Sequence, residues 1–171
     1  WERLGEFALV GYSYGGMVIT GVADKEWRKI TKIVYLDAFL PGNEQCLKDL
    51  TGPEWAAARA AADAKGDGWL LPRPDGSISG TMPAEGRQWI ESLGRPHPLK
   101  TMTEKLIIDG NHLKIAEKVY ILATENPGSP FHQFADWTRA QGDWTTLELP
   151  THHHMFQSMP RETADMLIGE N

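Results

Sequence analysis

The chain has 171 residues, of which 41% are hydrophobic and 23% charged, the balance of one globular domain with a sizeable core. Its 17 basic and 23 acidic residues leave a net charge of −6, which argues against an extended nucleic-acid surface. The lone Cys46 excludes an internal disulfide and multi-cysteine metal clusters, and no apolar run reaches the roughly 20 residues that span a bilayer.

Residues 1–7 show no initiator Met, no charged leader and no cleavage site, so no targeting segment is visible and a cytoplasmic location is the expectation. Phe7-Ala8-Leu9-Val10 is a short apolar run ended by Gly11, which predicts a strand buried on both sides in a parallel sheet. Such a strand needs neighbours that nothing upstream supplies, so the chain is expected to be the C-terminal part of a longer protein. Residues 15–23 are small and apolar and suit a tightly packed helix. Residues 32–37 read as a second buried strand, 118–123 as a third and 145–149 as a fourth. Residues 131–141 place Phe131, Phe134, Ala135 and Thr138 at helical spacing, and 160–168 predict a last helix with Pro160 in its first turn. Strands alternating with helices imply an α/β fold, a mostly parallel sheet flanked by helices.

Residues 41–117 break that rhythm. A helix starting at Thr51-Gly52-Pro53 runs to Lys65 and is stopped by Gly66; a Gly-, Pro- and Asp-rich loop covers 66–82; a second helix, 83–93, is ended by Gly94 and Pro96-His97-Pro98. This stretch holds Trp55, Trp69 and Trp89 and reads as a helical lid, with 1–40 and 118–171 as the core.

Gly11-Tyr12-Ser13-Tyr14-Gly15 matches G-x-S-x-G between a strand and a helix, the setting of a nucleophile elbow. So sharp a reversal strains the serine backbone, leaves room for glycine alone at both flanking positions, and sets the hydroxyl beside a helix N-terminus. A general base must then come from another loop at the same sheet edge, and the adjacent His152, His153 and His154 follow the fourth strand. The residues alone leave open which of the three serves. A metal site is the weaker reading of that run, because no carboxylate or thiol cluster accompanies it.

Residues 9–24, Leu-Val-Gly-Tyr-Ser-Tyr-Gly-Gly-Met-Val-Ile-Thr-Gly-Val-Ala-Asp, and 33–42, Ile-Val-Tyr-Leu-Asp-Ala-Phe-Leu-Pro-Gly, resemble the α/β-hydrolase superfamily. The likeness is to bacterial esterase-like members related to plant methylesterases and hydroxynitrile lyases. In that family the catalytic histidine lies seven residues before the proline opening the last helix, which selects His153, with His154 as the alternative. The plant relatives carry their acid after the strand that here ends Ala123-Thr124, where this chain has Glu125 and Asn126. The resemblance to dehalogenases points instead to Asp37, at the end of the strand after the nucleophile strand. Asp37 is the preferred acid and Glu125 the alternative.

The resemblance implies a serine hydrolase acting through Ser13, His153 and Asp37 on a small apolar ester, with no cofactor, no metal, no nucleic acid and no membrane partner. It assigns one oxyanion donor to the N–H of Tyr14 and the other to a loop absent from these residues, so the 171 residues alone are expected to be inactive. Phe39 and Leu40, with Met82 and the lid tryptophans, are candidates for the apolar pocket. A hydroxynitrile-lyase-like C–C lyase and a non-catalytic small-molecule binder are the competing functions; the former uses His-Lys where this chain has His153-His154.

Overall fold

The computed structural model describes residues 4–51, 54–72 and 82–169. Its main sheet has four strands in the order β1 (Phe7–Ser13), β2 (Ile30–Ala38), β5 (Glu117–Ala123) and β6 (Thr145–Leu149). The pairs β1–β2 and β2–β5 are parallel. The crossover from β1 to β2 is α1 (Gly15–Glu26) followed by a 3₁₀ turn, Trp27–Lys29. Helix α6 (His132–Arg139) connects β5 to β6, and α7 (Met155–Ser158) and α8 (Pro160–Ile168) follow β6. The expected alternation is present.

Strands β2 and β5 explain why the sheet holds. Val34, Tyr35, Tyr120 and Ile121 have no exposed surface, as befits strands covered on both faces. Each fully buried aliphatic side chain of this kind contributes about 1.5–3 kcal/mol. Tyr35 satisfies its hydroxyl on Thr20 Oγ1 at 2.7 Å, and Tyr120 donates to the carbonyl of Ala38 at 2.7 Å. Strand β1 departs from expectation: Ala8 and Val10 are exposed, because β1 pairs with β2 alone and is an edge of the described sheet.

Between β2 and β5 the chain forms α2 (Leu47–Thr51), α3 (Glu54–Lys65), β3 (Leu70–Leu71), α4 (Ala84–Leu93), β4 (His97–Pro98) and α5 (Lys100–Thr103). Both long helices match the sequence reading, and Gly66 and Gly94 close them through N–H bonds to Ala62 O and Ile90 O, each 2.9 Å. The antiparallel β3–β4 pair was not expected; two-residue strands carry too little pattern to be read. Of the loop expected over 66–82, residues 73–81 lie outside the described residues, as do Gly52 and Pro53 at the expected helix start.

The residues group into two units. One comprises residues up to Leu50, Lys105–Leu122 and Ser129–Glu148; the other comprises Thr51–Glu104, Ala123–Gly128 and residues from Leu149 onward. In the first, Phe39 packs edge-on against Phe131 and Phe134, with ring centroids 4.9 and 6.0 Å apart. Phe39 is thus core, not pocket lining. Asp24 ties the end of α1 to a distant loop, accepting the N–H groups of Asp109 at 2.9 Å and Asn111 at 2.6 Å.

Glycine is required at two positions around the turn after β1, one of them not the residue expected. A Cβ at Gly11 would stand 2.7 Å from the Ile19 side chain and 2.8 Å from the Gly15 carbonyl. A Cβ at Gly15 meets open space, whereas one at Gly16 would lie 1.9 Å from the Phe39 carbonyl oxygen. The helix is pressed onto the chain leaving β2 at Gly16. Urea denaturation should therefore show Gly16→Ala losing ~3 kcal/mol or more. Gly15→Ala should be neutral or stabilising by up to ~0.5 kcal/mol; equal costs for the two would refute the packing account.

Candidate active site

Ser13 ends β1 with φ +54° and is half-buried. A non-glycine residue there costs about 1–3 kcal/mol and persists only where its surroundings impose it. They do so here: the Phe39 N–H donates to the Ser13 carbonyl at 3.1 Å, and helix α1 begins two residues later. Tyr14 caps α1, its carbonyl accepting the Met17 N–H at 3.0 Å.

Asp37 belongs to the neighbouring strand end in the same unit. Tyr12 pairs with Leu36 and Ser13 with Ala38, so Asp37 is the extra residue of a register shift. It has φ +41° and no exposed surface. Irregularities of this kind re-aim a side chain at the end of a strand. Burial, and then the Asp37 charge, hold the phenols of Tyr12 and Tyr120 above their ordinary range, so both stay protonated beside the carboxylate.

The histidine loop lies in the second unit. The N–H of Thr124 donates to Leu149 O at 3.1 Å and that of Glu125 to Thr151 O at 2.9 Å, which ties the end of β5 to the start of the loop. Thr151 Oγ1 and Ser158 Oγ share a short hydrogen bond across it. His152, His153 and His154 are all buried, with the rings of His153 and His154 5.3 Å apart. His152 Nδ1 accepts the backbone N–H of His154 at 3.2 Å. Burial lowers the His152 pKa, aided by His153 and opposed by the Glu125 charge. Burial, then His153 and His152, pushes His154 down to about 4.

Each unit carries a cavity. That of the first, about 650 Å³, is lined by Leu40, Leu50, Ile108, His112, Phe134 and Trp137. Burial keeps His112 below its ordinary pKa despite Asp24, 3.7 Å away. The second cavity, about 580 Å³, is walled by Met82, Trp89, His152, Gln157 and Ser158, with Glu85 also lining it. Of the suggested pocket residues, Leu40, Met82 and Trp89 line cavities, while Trp69 is exposed and lines neither. His152 was missed as a wall residue; the only signal was its place in the histidine run. Among the described residues, no three His, Cys, Asp or Glu side chains gather as a metal ion would need. No described helix is long and apolar enough to cross a membrane.

Residues 2–166 match the alpha/beta hydrolase family. The chain is 37% identical to the carbendazim hydrolyzing esterase of Nocardioides sp. (strain SG-4G), over 98% of its own length and 72% of that protein. Among solved structures it resembles an extracellular alpha/beta-hydrolase from a Paenibacillus species, described as sharing structural and functional homology to tobacco salicylic acid binding protein 2. The TM-score is 0.81 at 21% identity, over 98% of this chain and 73% of that one. It also resembles tomato methylketone synthase I, solved as a H243A variant with beta-ketoheptanoate, at TM-score 0.72 and 18% identity, over 99% and 72% of the two chains.

The lowered pKa of buried His154 contributes to the acid limb of stability. A base whose pKa drops on folding is protonated first in the unfolded chain, so its contribution is complete above about 6.5 and falls away toward about 4. The melting temperature should drop on the order of 5 °C between pH 6.5 and 4.5. His154→Met should flatten that decline. A melting temperature constant over this window would contradict the burial of a neutral His154.

Proposed function

The chain belongs to the alpha/beta hydrolase family and is esterase-like, and on that premise we propose that it is a serine hydrolase cleaving a small neutral carboxylic ester through an acyl-enzyme. The observation that carries this reading is the left-handed Ser13 at the turn from β1 to α1, in a G-x-S-x-G motif. Ser13 Oγ attacks the ester carbonyl carbon while His153 takes its proton. Asp37 orients the imidazole and balances its positive charge, and the Tyr14 N–H receives the oxyanion. The carbonyl–alkoxy bond then breaks, His153 returns its proton to the leaving alcohol, and water repeats the sequence to release the acid and restore Ser13.

Several features support these assignments. Ser13 and Asp37 end adjacent parallel strands and both have positive φ. Tyr12 and Tyr120, kept neutral, place no competing negative charge around Asp37. His153 follows the last strand in a buried loop fixed by backbone bonds. The helical stretch 41–117 serves as the cap, with Met82 and Trp89 on an apolar wall. The Nocardioides relative, a carbendazim hydrolyzing esterase, makes carbendazim a substrate to try first.

Turnover of p-nitrophenyl butyrate and of carbendazim by the full-length protein tests the reading. Ser13→Ala should abolish it, by roughly 10⁶-fold in kcat. Asp37→Asn should lower kcat about 10⁴-fold, and Glu125→Gln should leave it within about threefold. A reversed order for the two carboxylates would move the acid to Glu125. Activity surviving in Ser13→Ala would dismiss the serine mechanism.

A further inference from the structure

The second cavity holds a polar group that the proposed chemistry leaves unused. His152 is only 4% exposed, yet it lines that cavity. Its Nδ1 accepts the His154 N–H at 3.2 Å, and a ring nitrogen that accepts carries no proton. The neutral ring must therefore hold its proton on Nε2. Burial favours the neutral ring, with Glu125, His153 and His154 the titratable groups that act on it from its own unit. The backbone thus fixes His152 as an N–H donor.

The walls around it narrow the ligand further. Trp89 leaves 52% of its surface uncovered on α4, an indole face available to a flat partner. Met82, almost fully buried, adds a polarisable thioether that suits aromatic edges. Gly86 lets α4 approach closely: a Cβ there would stand 3.0 Å from both Gln157 Nε2 and the Met82 side chain. Among the described residues Glu85 is the one carboxylate lining the cavity and no Lys or Arg joins it, which disfavours an anionic group there.

We propose that this cavity is a subsite for a neutral, planar aromatic group carrying a hydrogen-bond acceptor, seated on Trp89 and Met82 and read by the Nε2–H of His152. As part of the substrate site it rests on the reading of His153 as the base, since His152 is its chain neighbour. His152 is here a specificity residue and takes no part in bond cleavage. An ester whose aryl portion carries a ring nitrogen, an ether or a carbonyl oxygen is the class of substrate it selects.

Quinoline and naphthalene have nearly the same shape and differ by one acceptor nitrogen. Their binding can be compared by ligand-observed NMR titration of the full-length protein carrying Ser13→Ala, where turnover plays no part. Quinoline should bind about five- to tenfold more tightly, the worth of one net hydrogen bond. Adding His152→Phe should erase the preference while keeping naphthalene binding. His152→Gln, which can accept through Oε1 and donate through Nε2, should retain it. Trp89→Ala should weaken both ligands alike. Equal affinities in the parent, a preference that survives His152→Phe, or binding of neither compound would overturn the subsite. Each of these outcomes is separate from loss of the serine mechanism, which is read by turnover and by the reactivity of Ser13 itself.

Discussion

The close approach of helix α1 to the chain leaving β2 is the constraint on which the site depends. At Gly16 there is no space for even a methyl group before the Phe39 carbonyl. The Phe39 N–H meanwhile holds the Ser13 carbonyl at 3.1 Å. One short segment thus grips the turn after β1 from both sides. That grip offsets the backbone strain at Ser13. A looser contact would let Ser13 relax into ordinary β or α geometry.

The same segment carries the second irregularity. Asp37 sits one residue before Ala38, the register partner of Ser13, and is displaced from the ladder by the shift that precedes it. A carboxylate without exposed surface is tolerable only among polar partners. Tyr12 and Tyr120 stay protonated in its field, so neither adds a second negative charge beside it, and Tyr120 spends its one O–H on the Ala38 carbonyl. Strand pairing, backbone strain and buried charge therefore converge on the end of β2, which the hydrophobic run alone would mark as ordinary core.

Much of this was legible in the sequence for physical reasons. The apolar stretches within 32–37 and 118–123 identified β2 and β5, the G-x-S-x-G motif after Phe7–Val10 marked the turn after β1, and Pro160 placed the start of α8. Gly66 and Gly94 closed their helices as read, because a helix terminus leaves few alternatives. What was not legible depended on tertiary approach. Gly15 and Gly16 are indistinguishable as letters, and only the position of Phe39 separates them. Phe39 looked like pocket lining from its place beside Asp37, yet its ring faces Phe131 and Phe134, far along the chain. The role of His152 depends on one backbone hydrogen bond within a histidine run, which composition cannot show.

The account stands on Ser13 being a nucleophile and not a serine in a glycine turn. A fluorophosphonate reacts covalently with an activated serine hydroxyl, so the most direct measurement is mass-spectrometric mapping of the adduct on the full-length protein. The account predicts a single adduct, on the peptide containing Ser13, formed within minutes and suppressed in His153→Ala. An unlabelled Ser13, or labelling that His153→Ala leaves at the same rate, would contradict it.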